Sequence, residues 1–314
     1  MIVQDVINHL EELSPLAYAE DFDNVGLLVG NKNNPITGVL VTLDTLEEVV
    51  DEAIDKKCNL IISFHPIIFK GLKKLTGNNY VERVVMKAIK HDVAIFSMHT
   101  ALDNAWQGVN DMICNQLELK NKSILIPQKQ TIKKLTTFVP KNHAAEVRKA
   151  LFSADAGTIG NYNNCSFNSE GIGTYQGNEN SNPTSGEKGI TYEEVEIRIS
   201  VTFAKHLESQ ILTALFKSHP YEEVAYEITT LENTNQHIGM GMLGELVSEM
   251  SENDFLNYLK SKMNASCIRH SSFLNKPISK VAVLGGSGSF AISAAKAMGA
   301  DVFVTSDLKY HDFF

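Results

Sequence analysis

The sequence predicts an α/β fold in which one discontinuous domain is interrupted by a smaller α+β domain. Three observations lead to this prediction. The first third of the 314 residues alternates strand and helix signals, the middle changes to another pattern, and the last part returns to the first. The chain is also long for a single hydrophobic core. We therefore expect a mostly parallel sheet from residues 1–130 and 233–314, and an insert from residues 131–232.

The first domain begins with an amphipathic helix that ends at Ser14-Pro15, followed by a strand–helix–strand–helix–strand unit. The buried strands are predicted in "GVLVTLD", "NLIISFH" and "VAIFSMH". A helix is expected after the first of these strands. Thr45 is its predicted N-cap, because Glu48 follows at the spacing of a capping box.

The middle of the chain contains two strand–helix–strand units, which is the order of a ferredoxin-like α+β sandwich. One stretch, residues 157–189, is rich in Gly, Asn and Ser and is too long for an ordinary connection. Both a mobile functional loop and an irregular hairpin fit this composition.

Polar side chains end the three predicted strands of the first domain. Asp44, His65 and His99 occupy these strand ends, and Asp103 follows shortly after. The carboxyl ends of parallel strands are where ligands bind in such sheets. Imidazole and carboxylate together suit Zn, Mn or Fe, although packing at a strand end is the alternative. His99 and Asp103 are four residues apart across a strand end, so a shared helical face is not predicted.

A glycine-rich turn near the C-terminus follows another predicted strand and precedes a helix. Its residues Gly285, Gly286, Ser287 and Gly288 have the context of an anion-binding cradle. The Lys-Ser/Thr pair of a P-loop is absent, and tight packing of strand against helix explains the glycines equally well.

The bulk composition excludes several classes of protein. The net charge of −9 argues against a general nucleic-acid surface. The four cysteines form no CxxC pair, which indicates reduced thiols. No signal peptide is recognised at the N-terminus, and no apolar run approaches the roughly 20 residues of a membrane span. A cytoplasmic protein without membrane contacts is the prediction.

Several motifs, in this order, resemble one family. They are "DFDNVGLLVG", "ISFHPIIF", "SMHTALDNAWQGVND", "VAVLGGSGSF" and "GADVFVTSDLKYHD". They look like the hallmarks of the GTP cyclohydrolase 1 type 2 homologue family, also called the Nif-three-like dinuclear-metal family. The stretches "GTIGNYNNCSF", "GIGTYQG" and "SHPYEEVAYEI" resemble the PII/CutA-like insert of its longer bacterial members.

The resemblance implies a toroidal homohexamer with up to two divalent metal ions per subunit. His65 matches the second histidine of the family's His-His pair, and Asp103 matches its aspartate ligand. Phe64 stands where the first histidine is expected. The family's His-x-x-x-Glu ligands are expected beyond Phe314, so the sequence is interpreted as truncated at its C-terminus.

The same resemblance leaves two functions open. The first is a metal-dependent hydrolase acting on GTP, a phosphoester or another small molecule, with His99 as proton shuttle or as a residue that orients a ligand. Asp44, Asp307 and His311 are the polar residues expected to support or replace ligands. The second is a non-catalytic metal-binding ring that senses a small effector through a regulatory PII-like insert.

Overall fold

The computed structural model describes residues 1–314, which divide into two compact units. Unit 1 comprises Met1–Pro127 and Gln236–Phe314, and unit 2 comprises Gln128–Asn235. None of the helices has the length and apolar character needed to cross a membrane.

The helices and strands follow one another along the chain in three groups. The first part of unit 1 contains α1 (Val3–Leu13), β1 (Gly26–Val29), β2 (Val39–Thr42), α2 (Glu47–Asp55), β3 (Leu60–Ser63), α3 (Tyr80–Lys90), β4 (Ala94–Ser97), α4 (His99–Asn104), α5 (Val109–Gln116) and β5 (Lys120–Pro127). Unit 2 contains β6 (Ile132–Pro140), α6 (Ala144–Ser153), β7 (Phe167–Gln176), β8 (Thr191–Ala204), α7 (Glu208–Ser218) and β9 (Tyr226–Thr230). Unit 1 then resumes with β10 (Gly239–Met250), α8 (Glu252–Lys262), β11 (Ile278–Ser287), α9 (Ile292–Ala297) and β12 (Val302–Asp307).

The first sheet of unit 1 has the strand order β1-β4-β3-β2. Strands β2, β3 and β4 are parallel, whereas β1 pairs antiparallel with β4. The central strands are apolar on both faces because helices cover both sides. Leu60 and Phe96 pack with α1 on one face, and Ile61 and Ile95 pack with α2 and α3 on the other.

The second sheet of unit 1 has the order β12-β11-β10-β5. Only β11 and β12 are parallel, because the chain leaves unit 1 after β5 and returns in β10 as its antiparallel neighbour. The predicted α/β class is confirmed, and its detail is corrected. Instead of one mostly parallel sheet there are two mixed sheets, in which three of six neighbouring pairs are parallel.

One local prediction about helices was wrong, and the relation of His99 to Asp103, which the sequence left open, is decided by the structure. Thr45 does not cap α2, because the helix begins two residues later with Leu46 as its N-cap, and the buried Thr45 hydroxyl has no hydrogen-bond partner. The strand end at His99 continues directly into α4, so His99 and Asp103 lie one turn apart on the same helix.

Unit 2 has the element order β-α-β-β-α-β and an antiparallel sheet of order β7-β8-β6-β9. This is the ferredoxin-like order. Its core lies between the sheet and the helices α6 and α7, and includes Leu135, Val147, Ile199 and Ile211. Within the Gly-rich stretch 157–189, β7 pairs with β8 along its whole length, which makes this stretch part of a hairpin. A relationship of unit 2 to PII/CutA proteins stays a prediction.

Candidate functional site

The register of the parallel strands brings the predicted polar residues together. Thr42 pairs with Ser63, and Ser63 pairs with Ser97. Two residues beyond these positions lie Asp44, His65 and His99. Backbone hydrogen bonds continue the alignment past the strand ends, since His65 N–H donates to the Leu43 carbonyl and His99 N–H to the Phe64 carbonyl, both at 3.0 Å.

His65 is oriented by Asp44. The Nδ1 atom of His65 lies 2.8 Å from Oδ1 of Asp44, and both side chains are about half exposed to solvent. Because an ionised carboxylate can only accept, Nδ1 of the neutral imidazole carries the proton and Nε2 keeps its lone pair. This arrangement of carboxylate and imidazole is typical of histidines that bind metals.

His99 is oriented in the same way by Asp23, which the sequence did not single out. Nδ1 of His99 lies 2.8 Å from Oδ1 of Asp23, whose side chain is completely inaccessible to solvent. Burial alone would raise the pKa of Asp23. The hydrogen bonds that its carboxylate accepts from Thr100, His99 and Asn24 outweigh burial, so the pKa of Asp23 lies below its ordinary value.

Asp103 has the opposite environment. Its Oδ1 atom is buried and has no hydrogen-bond partner. Burial raises the pKa of Asp103 from 3.8 to about 6, with a further contribution from the charge of Asp23, against the opposing effects of His99 and His65. A buried carboxylate oxygen without a partner costs free energy, and therefore calls for a proton or a cation.

Phe64 packs against both oriented histidines. Its ring meets those of His65 and His99 edge-on, with centroid distances of 5.0 and 5.5 Å, and the two imidazoles are themselves 5.5 Å apart. The Phe64 carbonyl also accepts a hydrogen bond of 2.8 Å from the Ser97 hydroxyl. An apolar ring therefore occupies the position at which the resemblance described above implies a histidine.

The two other polar candidates are not joined to this cluster. Asp307 ends β12 opposite Ser287, and His311 lies in a short 3-10 turn with its ring against Tyr310. Neither makes a hydrogen bond, ion pair or ring contact with His65 or Asp103. Their role as supporting residues stays a prediction.

The glycine-rich turn shows contacts that favour packing. The N–H of Gly285 already donates to Oδ1 of Asn110 at 2.9 Å. A Cβ atom at Gly288 would lie 2.3 Å from Oγ1 of Thr305, so only glycine allows this approach. The helix α9 that follows has six residues. The anion-binding role of Gly285, Gly286, Ser287 and Gly288 stays a prediction.

The donor atoms present fit a metal ion only in part. No three His, Cys, Asp or Glu side chains are arranged as a group that could hold one. His65 nevertheless offers an imidazole whose Nδ1 is held by Asp44, and Asp103 offers a buried oxygen without a partner. Imidazole and carboxylate are donor types that Zn, Mn and Fe accept, and a complete coordination shell would need further donors.

Fold and site together define an α/β protein with a histidine–carboxylate cluster at the ends of parallel strands. The model of the Duf34/NIF3 (NGG1p interacting factor 3) family matches residues 1–314, and the chain belongs to this family. The family identified from the sequence motifs is thereby confirmed.

Relatives and solved structures agree with this assignment. A Bacillus subtilis (strain 168) protein named "GTP cyclohydrolase 1 type 2 homolog" is 43% identical over 309 residues, which are 98% of this chain and 83% of the relative. The crystal structure of a Bacillus cereus protein related to NIF3 is similar with a TM-score of 0.86 at 40% identity, covering 99% of this chain and 84% of that one. Staphylococcus aureus protein SA1388 follows with a TM-score of 0.76 at 35% identity, covering 99% and 83%.

Proposed function

We propose that this protein binds a divalent metal ion, Zn, Mn or Fe, through His65 and Asp103, and that it is a metal-dependent hydrolase of a small molecule. The observation that carries the proposal is the buried Oδ1 atom of Asp103, which has no hydrogen-bond partner. With a pKa of about 6, this carboxyl group is largely ionised at neutral pH. A cation bound beside it would offset the cost of its buried charge.

One cation per chain is the stoichiometry that these residues favour. A second ion would need a further donor beside His65, and the ring of Phe64 stands there instead. The resemblance to dinuclear proteins implies two ions, so the number of ions bound is a direct test of the role of Phe64.

A bound divalent cation would supply a water molecule of lowered pKa and would polarise the substrate. The chain's own residues would orient the donor atoms and accept or donate protons. Asp44 holds His65 so that Nε2 faces away from the hydrogen-bonded carboxylate. His99 keeps its proton on Nδ1 against Asp23, which leaves Nε2 to accept a proton from a reacting group.

The substrate class follows only from the names of relatives. The relatives at 36–43% identity carry the name GTP cyclohydrolase 1 type 2 homolog, and no described residue contact selects a guanine base. GTP and simple phosphoesters are therefore the first substrates to test.

A second function is favoured by the incomplete donor set. A cation held by only two side chains suits binding and sensing as well as catalysis, and Phe64 weakens the case for a two-metal mechanism. In this alternative the chain forms a homohexameric ring that senses a small effector through unit 2 and does no chemistry.

The amount of metal bound per chain tests the proposed metal site directly. The full chain is freed of metal with a chelator, dialysed against Zn²⁺, Mn²⁺ or Fe²⁺, and analysed for bound metal per chain. We expect one ion for the wild type, and loss of that ion in His65→Ala and in Asp103→Ala. Substitution of the exposed His9 by Ala is the matched control and should change nothing. A wild type that holds no more metal than His65→Ala would refute the metal site.

Phe64→His separates one-metal from two-metal behaviour. The added imidazole should raise the metal content from one ion to two per chain if Phe64 alone limits the second site.

Turnover of GTP or of a phosphoester that disappears in His65→Ala would support the hydrolase, whereas bound metal without any turnover would favour the sensing function.

A further inference from the structure

The geometry points to Asp23 as a positioning residue for the proposed metal site. It fixes the tautomer of His99 and, through α4, the place of Asp103. This inference deepens the proposed function and rests on it for the metal, but the tautomer of His99 is a separate property that is measured without metal.

The buried carboxylate of Asp23 accepts hydrogen bonds from three residues, Asn24, His99 and Thr100. Oδ1 accepts from His99 Nδ1 at 2.8 Å and from the N–H of Asn24 at 2.8 Å. Oδ2 accepts from the Thr100 N–H at 3.1 Å and from the Thr100 hydroxyl. All these partners are donors, so the ionised carboxylate is the one state of residue 23 that satisfies every one of them.

The backbone at His99 needs such an anchor. His99 has φ +26°, a value that side-chain-bearing residues rarely adopt. Strained residues persist when surrounding contacts over-determine them, and they cluster at functional sites. Here the N–H of His99 is held by the Phe64 carbonyl, and its ring by Asp23. The strain is located at the first residue of the helix that carries Asp103.

The segment around Asp23 also holds the other end of α4. Nδ2 of Asn104 donates to the Tyr18 carbonyl at 2.7 Å and to Oε1 of Glu20 at 2.8 Å. The N–H of Glu20 donates to Oγ1 of Thr100 at 3.0 Å. Residues 18–23 therefore run along α4 and fix both its ends, with Asp103 between them.

The two histidine–aspartate pairs differ in a way that assigns them different tasks. The pair of His65 and Asp44 is about half exposed, so a single contact open to solvent orients His65. The Asp23 side chain is inaccessible, and its other hydrogen bonds leave it no freedom. His99 is thus held with its proton on Nδ1 and with the Nε2 lone pair presented, in the manner of the buried aspartate of a catalytic triad.

Asp23→Asn tests this assignment because it keeps the shape and removes the acceptor-only character. An asparagine must place an NH₂ group against His99 or against the Thr100 donors. We expect the neutral imidazole of His99 to shift toward the form protonated at Nε2. We also expect the affinity for the divalent ion to fall about 10-fold, the lower end of the range for residues that contact a ligand directly, because Asp23 acts on Asp103 only through α4. Asp21→Asn is the matched control, since Asp21 is exposed and loses the same charge two residues away.

The first measurement is ¹⁵N–¹H spectra of the histidine side chains in the metal-free 314-residue chain at about pH 8, where free imidazoles are neutral. The second is a metal titration of each variant. The wild type should show His99 protonated at Nδ1, and the opposite tautomer would overturn the inference without any variant. Equal tautomers in wild type and Asp23→Asn, or equal loss of affinity in Asp21→Asn, would also overturn it. A wild type that binds no metal but shows the tautomer change in Asp23→Asn would refute the proposed function and leave the positioning role standing.

Discussion

The substitution Asp103→Asn should make the metal-free protein more stable while it removes the metal site. The two effects have the same origin. At neutral pH the carboxylate of Asp103 is a buried charge whose Oδ1 atom has no hydrogen-bond partner. Asparagine has nearly the same shape and no charge, so it removes the cost of burying that charge together with the ability to attract a cation.

The size of the effect follows from the pKa of Asp103. Its rise from 3.8 to about 6 corresponds to about 3 kcal/mol, at roughly 1.4 kcal/mol for each pH unit. The unpaired amide that replaces the carboxylate still costs about 1 kcal/mol or more. We therefore expect a net gain of about 1–2 kcal/mol in the free energy of unfolding of unit 1 at pH 7.

Urea unfolding followed by tryptophan fluorescence is the appropriate assay. The chain has a single tryptophan, Trp106, which lies three residues after Asp103 and packs edge-on against His237 at 5.2 Å. Its fluorescence therefore reports on unit 1. The samples contain a chelator, because a cation bound to the wild type would stabilise it by mass action and mask the difference.

The pH dependence gives the control. A carboxyl group whose pKa is raised by folding destabilises the protein above that pKa, and the destabilisation disappears as pH falls toward the ordinary value. The electrostatic gain of Asp103→Asn should accordingly be nearly full above about pH 6 and largely lost near pH 4, where the unpaired amide leaves the variant no more stable than the wild type. An equal advantage at both pH values, or a variant less stable than the wild type at pH 7, would refute the electrostatic reasoning.

Two further predictions concern the loop after α4 and the core of unit 2. Gly108→Ala places a Cβ 1.8 Å from the Leu102 carbonyl oxygen and should lower the free energy of unfolding, measured in urea, by about 1–3 kcal/mol. The control Gly71→Ala, whose Cβ would meet no atom within 4 Å, should leave it unchanged. His219 is buried, which lowers its pKa, and its Nδ1 accepts the N–H of Tyr221 at 3.1 Å. Unit 2 should therefore lose stability as pH falls below about 6.5, the ordinary pKa of histidine. An NMR titration of the 314-residue chain in which His219 gains its proton at or above that value would contradict this.

The part of the site that the sequence predicted depends on parallel strands. Asp44, His65 and His99 were identified because each ends an apolar strand, and parallel neighbours align their carboxyl ends. The observed register places the three within reach of one another, and the hydrogen bond between His65 and Asp44 follows from it. Local sequence was sufficient for this because the rule needs only the strand positions and their direction.

Asp23 was missed because it depends on an antiparallel strand. β1 has four residues, like β2, β3 and β4, but it pairs antiparallel with β4, with Gly26 opposite Ser97. This pairing brings the residues before β1 beside the residues after β4, across 76 positions in the sequence. The motif "DFDNVGLLVG" contained the signal, but no periodicity in the sequence indicates which strand such a short segment will join.

The sequence by itself determined the α/β class, the family, the inserted unit of different pattern and two candidate ligands, His65 and Asp103. These follow from hydrophobic periodicity, strand ends and ordered motifs, which are local properties of the chain. The tertiary structure alone decided that His99 and Asp103 share a helix, that Asp23 holds that helix, and that an oxygen of Asp103 is buried without a partner. Burial and pairing depend on which distant segments meet, and the pKa of a carboxyl group is set by those neighbours and not by its own position in the chain.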